Sequence, residues 1–211
     1  MLLKNSVSTL VFSSVLGIVC SLLLTGASLY TFPYRSSNEK AEELRNFLEA
    51  LEVPVPEDAD SKQLIEVFDK NINKKILGEH DIYEYVPENS ESATLVAIAV
   101  PFSGSGLWGP IDGVIAFEPD FTTIRGIRFY KQEETPGLGG EIGSKWFQKQ
   151  FIGKQIVSSK GDPGFRILKS GQEADRNTVD GITGATMTSD RVQDILDKLA
   201  KELCKQQNTN E

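Results

Sequence analysis

The chain has few of the side chains on which several common catalytic and metal sites depend. Its 211 residues include one histidine, His80, and two cysteines, Cys20 and Cys204. A single histidine argues against a His-dependent triad and against a multi-histidine metal site, so His80 is expected at the surface. The two cysteines lie in different environments and predict no disulfide, and their spacing suits no iron–sulfur cluster.

Basic side chains are in the minority. The chain has 22 Lys and Arg residues against 30 Asp and Glu residues, and its formal net charge is -8. Nucleic acids are bound through a basic face that neutralises their phosphates. The acidic balance therefore argues against a nucleic-acid partner.

Charged side chains are missing altogether from residues 5–32. Within that stretch, Val7 to Tyr30 is long enough to cross a hydrocarbon core, which takes about 20 helical residues. We predict that residues 1–34 form a membrane anchor helix. The alternative is a cleaved signal peptide with a weak cleavage site at residues 25–27, but the apolar run exceeds the roughly 7–15 residues of a signal-peptide core.

Charge around this segment does not decide its orientation. Lys4 precedes it, and Arg35, Lys40 and Arg45 follow it. Because basic residues lie at both ends, the positive-inside rule does not decide the orientation, and the count slightly opposes an amino terminus on the inside.

The rest of the chain predicts an α+β fold, in which helices flank a mostly antiparallel sheet. Pro33 is expected to end the anchor, and apolar residues at three- and four-residue spacing then predict helices over Ser36–Leu51 and Ser61–Leu77. From Asp81 onward the pattern is that of strands, so the predicted parts are residues 1–34, 35–80 and 81–211. The predicted strands are Ile82–Val86, Thr94–Val100, Gly113–Phe117, Thr123–Tyr130, Gln155–Ser158 and Phe165–Lys169.

A further helix is predicted near the end of the chain, after the run Asp180–Ser189. Its apolar residues recur at helical spacing, at Val192, Ile195, Leu196, Leu199 and Leu203. Candidate N-cap residues are Thr188, Ser189 and Asp190, with Gln193 placed as a capping-box partner. The free N–H groups and positive dipole end of a helix start would stabilise a nearby phosphate. The simpler interpretation is an ordinary glycine turn leading into a capped helix.

Residues 104–109 satisfy the Gly-x-Gly-x-x-Gly pattern of dinucleotide-binding proteins. That fingerprint requires a helix after the glycines. Here Pro110 and the strand-like residues 114–117 follow instead. We therefore reject a dinucleotide-binding site at this position.

Three blocks, in this order, resemble the NqrC family, the C subunits of the bacterial sodium-translocating NADH:quinone reductase. They are residues 106–111, 129–142 and 180–186, within a similarity that spans residues 95–203. The related RnfG family, from the Rnf electron-transport complex, shares the last block and residues 134–139. The Trp-Gly-Pro-Ile sequence at 108–111 and the second glycine before Glu141 favour the NqrC family.

The resemblance implies a flavoprotein with FMN esterified by a flavin transferase to Thr186, the threonine after Gly-Ala. It also implies electron transport within a sodium-transporting NADH:ubiquinone oxidoreductase, with the other subunits of that membrane complex as partners and no turnover by this chain alone. Residues 81–211 would be the FMN-binding domain, on the periplasmic side of the inner membrane.

The flavin contacts implied by the resemblance come from the same three blocks. Gly137, Gly139 and Gly140 would let backbone lie against a flat ligand and offer N–H groups to it. Trp108 or Trp146 would stack on the ring, unless these side chains pack in the core. The cofactor-binding residues predicted in this way are Trp108, Glu134, Thr135, Gly137, Leu138, Gly139, Asp180, Thr183, Gly184, Ala185, Thr186 and Thr188.

Two further hypotheses concern acidic residues. Asp180 would orient or deprotonate the Thr186 hydroxyl during attachment, or hold a metal in the transferase complex. Glu133, Glu134 and Glu141 would suit a cation, although solvated loop acids are commoner, and no metal site is predicted. The rival from another class is an anchored binding or assembly module without a redox group, whose Gly-Ala-Thr turn is only a helix cap. For the glycine loop the simpler interpretation is a surface turn.

Overall fold

The computed structural model describes residues 2–56, 58–88, 94–169 and 172–209. The chain divides into two compact units, Met1–Ala41 and Glu42–Glu211. We call the second the C-terminal unit. The sequence-based division at 34/35 and 80/81 stays a prediction.

The first helix, α1, spans Leu2–Ala50. Among the described residues it is the one helix long and apolar enough, by length and composition, to cross a membrane. Its large apolar side chains from Val7 to Phe32, such as Leu23 and Leu24, are exposed. The predicted apolar N-terminal helix is therefore present, and its surface suits a lipid environment.

The prediction that Pro33 ends this helix was wrong, because α1 continues through Pro33 to Ala50. Proline lacks one backbone donor and crowds the carbonyl group four residues earlier. These are local costs in a helix of 49 residues. Good helix formers lie on both sides of the proline and maintain the helix: leucine and alanine precede it, and glutamate, lysine, alanine and leucine follow it.

Helix α2 spans Ser61–Asn71 and begins with a complete capping box. The Asp60 carboxylate accepts from the Gln63 N–H at 2.8 Å, and the Gln63 side chain accepts from the Asp60 N–H at 2.9 Å. The predicted extension of this helix to Leu77 was wrong. Residues from Ile72 onward pair with the next strand through a hairpin at Gly78, whose φ of 61° suits glycine.

Five strands form one antiparallel sheet in chain order. They are β1 Ile72–Leu77, β2 His80–Tyr85, β3 Ala97–Ser105, β4 Pro110–Phe117 and β5 Ile124–Lys131. The α+β prediction is confirmed, and so is the antiparallel pairing across Glu118–Asp120, where Ile115 lies opposite Ile127.

Apolar layers cover both faces of this sheet. On one face the end of α1 contacts strands β2 and β5, with the Phe47 ring 4.9 Å from the Tyr83 ring and the Ala50 carbonyl against Gly126. On the other face Phe129 contacts Phe147. The first four residues of β3, residues 97–100, are consequently buried, which explains the continuous apolar run there.

The remaining elements follow β5. They are a 3₁₀ helix at Gly139–Gly143, α3 Lys145–Lys149, β6 Arg166–Leu168, β7 Thr178–Asp180 and α4 Thr186–Thr209. The prediction that Gln155–Ser158 and Phe165–Lys169 complete the main sheet was wrong. Strand β6 instead pairs in parallel with β7, and residues 155 and 157 form isolated bridges. The Gln193 side chain accepts from the Ile167 N–H at 2.9 Å and caps the free edge of β6.

Candidate functional site

A cavity of about 250 Å³ lies where three segments of the C-terminal unit converge. The segments are the β3–β4 turn, the loop after β5 and the first turn of α4. They are far apart in sequence, so the cavity exists only in the folded unit.

The β3–β4 turn is closed by a hydrogen bond from the Gly106 N–H to the Gly109 carbonyl, at 2.8 Å. Strand β4 begins directly afterwards at Pro110. The glycine-rich sequence at 104–109 therefore joins two strands, and the rejection of a dinucleotide-binding helix is confirmed. A side chain at Gly106 would meet the Glu134 carboxylate, so glycine is required by close approach.

Glu134 connects all three segments. Its side chain is 4% exposed. One carboxylate oxygen, Oε1, accepts from the Leu107 N–H at 2.7 Å and from the Trp108 N–H at 3.3 Å. The other, Oε2, accepts from the Thr188 hydroxyl at 2.6 Å. Both oxygens act as acceptors, as expected of an ionised carboxylate, and the charge is compensated by three donors.

The loop after β5 folds around the carbonyl of Thr135. That oxygen accepts from the N–H groups of Leu138 and Gly140, at 3.1 Å and 3.0 Å. These two N–H groups are therefore engaged within the loop and are not the donors that the sequence predicted for a flavin. Gly137 has a φ of 74°, which lies in the left-handed region that favours glycine. A side chain at Gly139 would overlap the Thr188 hydroxyl and the Glu134 carboxylate.

Helix α4 begins at Thr186 itself, earlier than predicted. The Ser189 N–H already bonds the Ala185 carbonyl at 2.9 Å, so Thr188, Ser189 and Asp190 lie inside the helix and their N-cap assignment was wrong. Their side chains serve tertiary contacts instead: Ser189 accepts from the Ile182 N–H, and Asp190 pairs with Lys169. The capping-box role of Gln193 was wrong for the same reason.

Eight of the twelve predicted cofactor-binding residues line the cavity. Four come from the loop after β5, namely Glu134, Thr135, Leu138 and Gly139. The other four come from the start of α4, namely Gly184, Ala185, Thr186 and Thr188. Gly184 has a φ of 80°, which brings the chain sharply into the helix and places it against the Leu138 side chain.

The other four predicted residues are not among the described residues that line the cavity; they are Trp108, Gly137, Asp180 and Thr183. Leu107 and Met187 complete the lining. Asp180 and Thr183 are exposed, and Asp180 exchanges main-chain hydrogen bonds with the Gln150 side chain. Gly137 is exposed at the loop tip.

Neither tryptophan packs in the core. Trp108 is 68% exposed, next to Leu107 at the cavity, and Trp146 is 49% exposed and contacts Phe147 edge-on. The core-packing alternative therefore applies to neither side chain.

Sequence reasoning missed Leu107 and Met187. Both are neighbours of residues that had been singled out, Trp108 and Thr186, and both are large apolar side chains that remain exposed, at 37% and 60%. An apolar residue beside a glycine or threonine motif on a surface turn was the available signal. Together with Leu138 they supply the large apolar side chains of the lining.

The lining suits a flat, partly apolar ligand that carries a phosphate. Leu107, Leu138 and Met187 offer apolar contact, and the Thr186 hydroxyl lies at a helix start, where N–H groups have no intrahelical acceptor. Pockets that enclose a drug-sized ligand measure roughly 300–1,000 Å³. At about 250 Å³ this cavity has room for part of an FMN and leaves the remainder at the surface.

A model of an FMN-binding domain matches residues 106–201 of the chain. The matched range runs from the β3–β4 turn through the loop after β5 and well into α4, and so contains every segment of the cavity. Residues 106–201, just under half of the chain, are thus similar to FMN-binding domains. The cofactor of the chain is FMN, and the cavity lies within the matched residues.

Curated relatives share one name, that of the C subunit of the Na⁺-translocating NADH-quinone reductase. The protein of Neisseria meningitidis is 40% identical over 103 residues, or 49% of this chain and 40% of the relative. That of Yersinia pestis is 44% identical over 97 residues, or 46% of this chain and 36% of the relative. These alignments span about two fifths of the relatives' length. The protein of Haemophilus ducreyi is 29% identical over 226 aligned positions, with 88% of this chain and 86% of the relative covered.

Solved structures extend the similarity beyond the matched domain. NqrC of Shewanella oneidensis is 26% identical, with a TM-score of 0.63 over 76% of this chain and 91% of that one. The corresponding C subunit from Parabacteroides distasonis is also 26% identical, with a TM-score of 0.64 over 78% and 90%. The family resemblance read from the three sequence blocks is thus confirmed, as is the fold.

The described residues contain no group of three or more His, Cys, Asp and Glu side chains that could hold a metal ion. Glu134 is engaged by three donors, and the Glu133 side chain lies against Gly109 instead. The acidic loop gives no support to a cation site.

Proposed function

We propose that Thr186 carries FMN as a phosphoester and that the chain acts as an electron-carrier subunit of a sodium-translocating NADH:quinone reductase. The observation that carries the proposal is the position of Thr186. It is the first residue of α4, its side chain is exposed, and it lines the cavity of an FMN-binding domain. Relative to the free molecules, the ester between its Oγ1 and the FMN phosphorus forms with loss of one water.

Three groups of residues would hold the cofactor. The first-turn N–H groups of α4 lie next to the phosphate position and favour its negative charge. Leu107, Leu138 and Met187 would contact the flavin ring, and Thr135 and Thr188 add hydroxyl groups to the lining. FMN supplies the redox chemistry, and the protein positions it and sets its surroundings.

The cavity geometry supports a carrier rather than an enzyme that turns over a substrate by itself. A cavity that holds only part of the cofactor leaves an edge accessible to neighbouring redox centres. The one ionisable side chain of its described lining, Glu134, has both oxygens engaged by donors from the protein itself. NADH oxidation, quinone reduction and ion transport are assigned to partner subunits by similarity to the NqrC family.

The membrane anchor, its orientation and the flavin transferase belong to the same proposal. The exposed apolar surface of α1 supports anchoring. The periplasmic side is proposed by similarity to the NqrC family, since charge does not decide it. The exposure of Asp180 and Thr186 on the folded unit supports access by a transferase.

Two alternatives are separated by experiment. A carrier of the RnfG type would use the same Thr186 ester, and copurified subunits with sodium-dependent activity would distinguish the two complexes. An anchored assembly module without a redox group would carry no flavin at all.

The ester is tested by expressing the full chain with a flavin transferase and recording in-gel flavin fluorescence after denaturation. We expect a fluorescent band for the wild type that is lost in Thr186→Ala. Thr183→Ala is the matched control, because Thr183 is an exposed hydroxyl of the same motif that lies outside the cavity. Fluorescence retained in Thr186→Ala would reject the proposed attachment residue, and a dark wild type would favour the assembly module.

The proposed role of Asp180 has its own test. Its exposed carboxylate lies six residues before Thr186, at the end of β7. If it orients the hydroxyl during attachment, Asp180→Ala should load flavin slowly or incompletely. Normal loading of Asp180→Ala would reject the role.

A further inference from the structure

We infer that Glu134 is a positioning residue that also lowers the reduction potential of the bound flavin, an inference that rests on the proposed function. The structural basis is one buried carboxylate that joins the three segments of the cavity. Its contacts extend to the β3–β4 turn on one oxygen and to α4 on the other.

The charge of Glu134 is isolated among the residues around the cofactor position. Of the ten described residues that line the cavity, Glu134 alone has an ionisable side chain. The nearest donors to it are two backbone N–H groups and one hydroxyl, all without formal charge. The lining therefore carries one formal negative charge with no cationic side chain beside it in the lining, on a residue that is 4% exposed.

The expected effect on the flavin follows from electrostatics. Reduction adds electrons to the ring, and a nearby fixed negative charge opposes that addition. Because the Glu134 side chain is only 4% exposed, solvent screens the interaction weakly. The oxidised form is favoured, and the potential lies lower than it would with a neutral side chain.

The donors to Glu134 adjust this effect. The Thr188 hydroxyl withdraws charge from Oε2 through a 2.6 Å hydrogen bond. A substitution that removes this hydroxyl would leave the negative charge on Glu134 but take away one of the three donors that stabilise it. Two substitutions in one hydrogen bond should therefore shift the potential in opposite directions.

The first test is a redox titration of the full chain loaded with FMN. Glu134→Gln keeps an acceptor for the Leu107 N–H and removes the charge. We expect its midpoint potential to rise by at least the equivalent of a tenfold change in the two-electron equilibrium, about 30 mV. Thr188→Val should lower the potential, and Thr188→Ser, which restores the hydroxyl, should return it to the wild-type value.

The control is Glu133→Gln, which removes a neighbouring negative charge from an exposed side chain outside the cavity lining. Water screens such a charge, so we expect less than half the shift of Glu134→Gln. Equal shifts for the two substitutions would overturn the inference.

A structural role alone would have a different signature. It predicts that Glu134→Gln and Thr188→Val loosen the site alike and shift the potential in the same direction, and that result would overturn the inference. If Glu134→Gln takes up no flavin, Thr188→Val tests the inference by itself: a lowered midpoint potential supports it, and a raised one would overturn it. Failure of the wild type to load FMN would instead reject the proposed function, so the two failures are distinguishable.

Discussion

The hydroxyl of Thr188 donates a 2.6 Å hydrogen bond to the Glu134 carboxylate, and the two residues are 54 positions apart in the chain. Both side chains are buried, at 3% and 4% exposure. This bond fixes the start of α4 against the loop after β5. It thereby sets the position of Thr186, two residues earlier on the same helix.

Thr188→Val should destabilise the C-terminal unit. The substitution keeps the shape of the side chain but removes the donor, so one oxygen of a buried carboxylate loses a partner. Such a loss costs about 1–3 kcal/mol. The free energy of unfolding of the flavin-free chain in urea measures the effect, and Thr183→Val, at an exposed position of the same motif, should change it by less than about 0.5 kcal/mol. Equal stability of Thr188→Val and wild type would contradict the structure.

Gly139→Ala should disturb the cavity, whereas Gly143→Ala should not. The two glycines begin and end the same 3₁₀ helix. A Cβ at Gly139 would overlap the Thr188 hydroxyl, while a Cβ at Gly143 would meet nothing within 4 Å. We expect Gly139→Ala to lose about 1–3 kcal/mol of stability from overpacking and to load less flavin. Thermal unfolding and flavin absorbance per polypeptide check both effects, and similar behaviour of the two variants would refute the close contact at Gly139.

The Asp120 turn between β4 and β5 should make stability depend on pH. Burial raises the pKa of Asp120, but hydrogen bonds from the Thr123 and Thr122 backbones and from the Thr123 side chain outweigh it, so the pKa lies below its ordinary value. A carboxyl whose folded pKa is lowered stabilises the fold above its unfolded pKa of about 3.9, and the contribution is lost as pH falls through the folded value.

Asp120→Asn should therefore be less stable than wild type at pH 7, with the difference shrinking as the pH is lowered below about 4. Urea unfolding at a series of pH values provides the measurement. Thr123→Val, which removes one of the donors, should reproduce part of the loss at pH 7. A difference that does not change with pH would show that the carboxylate charge is not involved.

Deletion of residues 1–34 should release the protein from membranes. The large apolar side chains of α1 from Val7 to Tyr34 are exposed, whereas the C-terminal unit has a core of its own. Fractionation should find the full chain with the membranes and the shortened chain in the soluble fraction.

The side of the membrane on which the C-terminal unit lies is tested by proteolysis. Protease added to spheroplasts should digest the C-terminal unit of the full chain, and protection until the cells are lysed would contradict a periplasmic position.

Much of the fold could be predicted from the sequence, because the spacing of apolar residues shows which side of a helix or strand faces the core. Strand β4 and its partner β5 were found in this way. Helix α2 was predicted too long since Ile72 and Ile76 fit helical spacing as well as strand alternation, and only pairing with β2 separates the two. Periodicity could not reveal β7, which is three residues long and is defined by its partner β6.

For the site, short-range motifs identified the segments but not every contact. Thr188 was predicted as a helix cap because its hydroxyl precedes an apolar repeat, and a partner 54 residues away is invisible to local rules. The loop glycines were expected to offer N–H groups to a ligand, but the N–H groups of Leu138 and Gly140 bond the carbonyl of Thr135. Met187 and Leu107 were missed because their one local signal, an apolar residue beside a glycine or threonine motif, does not show that the side chain lines a cavity.

The most direct test of the proposed flavin ester is peptide mapping of the full chain isolated from its native membranes. Trypsin cleaves after Arg176 and Arg191, so residues 177–191 form one peptide, whose threonines are Thr178, Thr183, Thr186 and Thr188. We predict that this peptide gains the mass of one FMN less one water, and that fragment ions assign the addition to Thr186. An unmodified peptide, or an addition at another residue, would contradict the proposal.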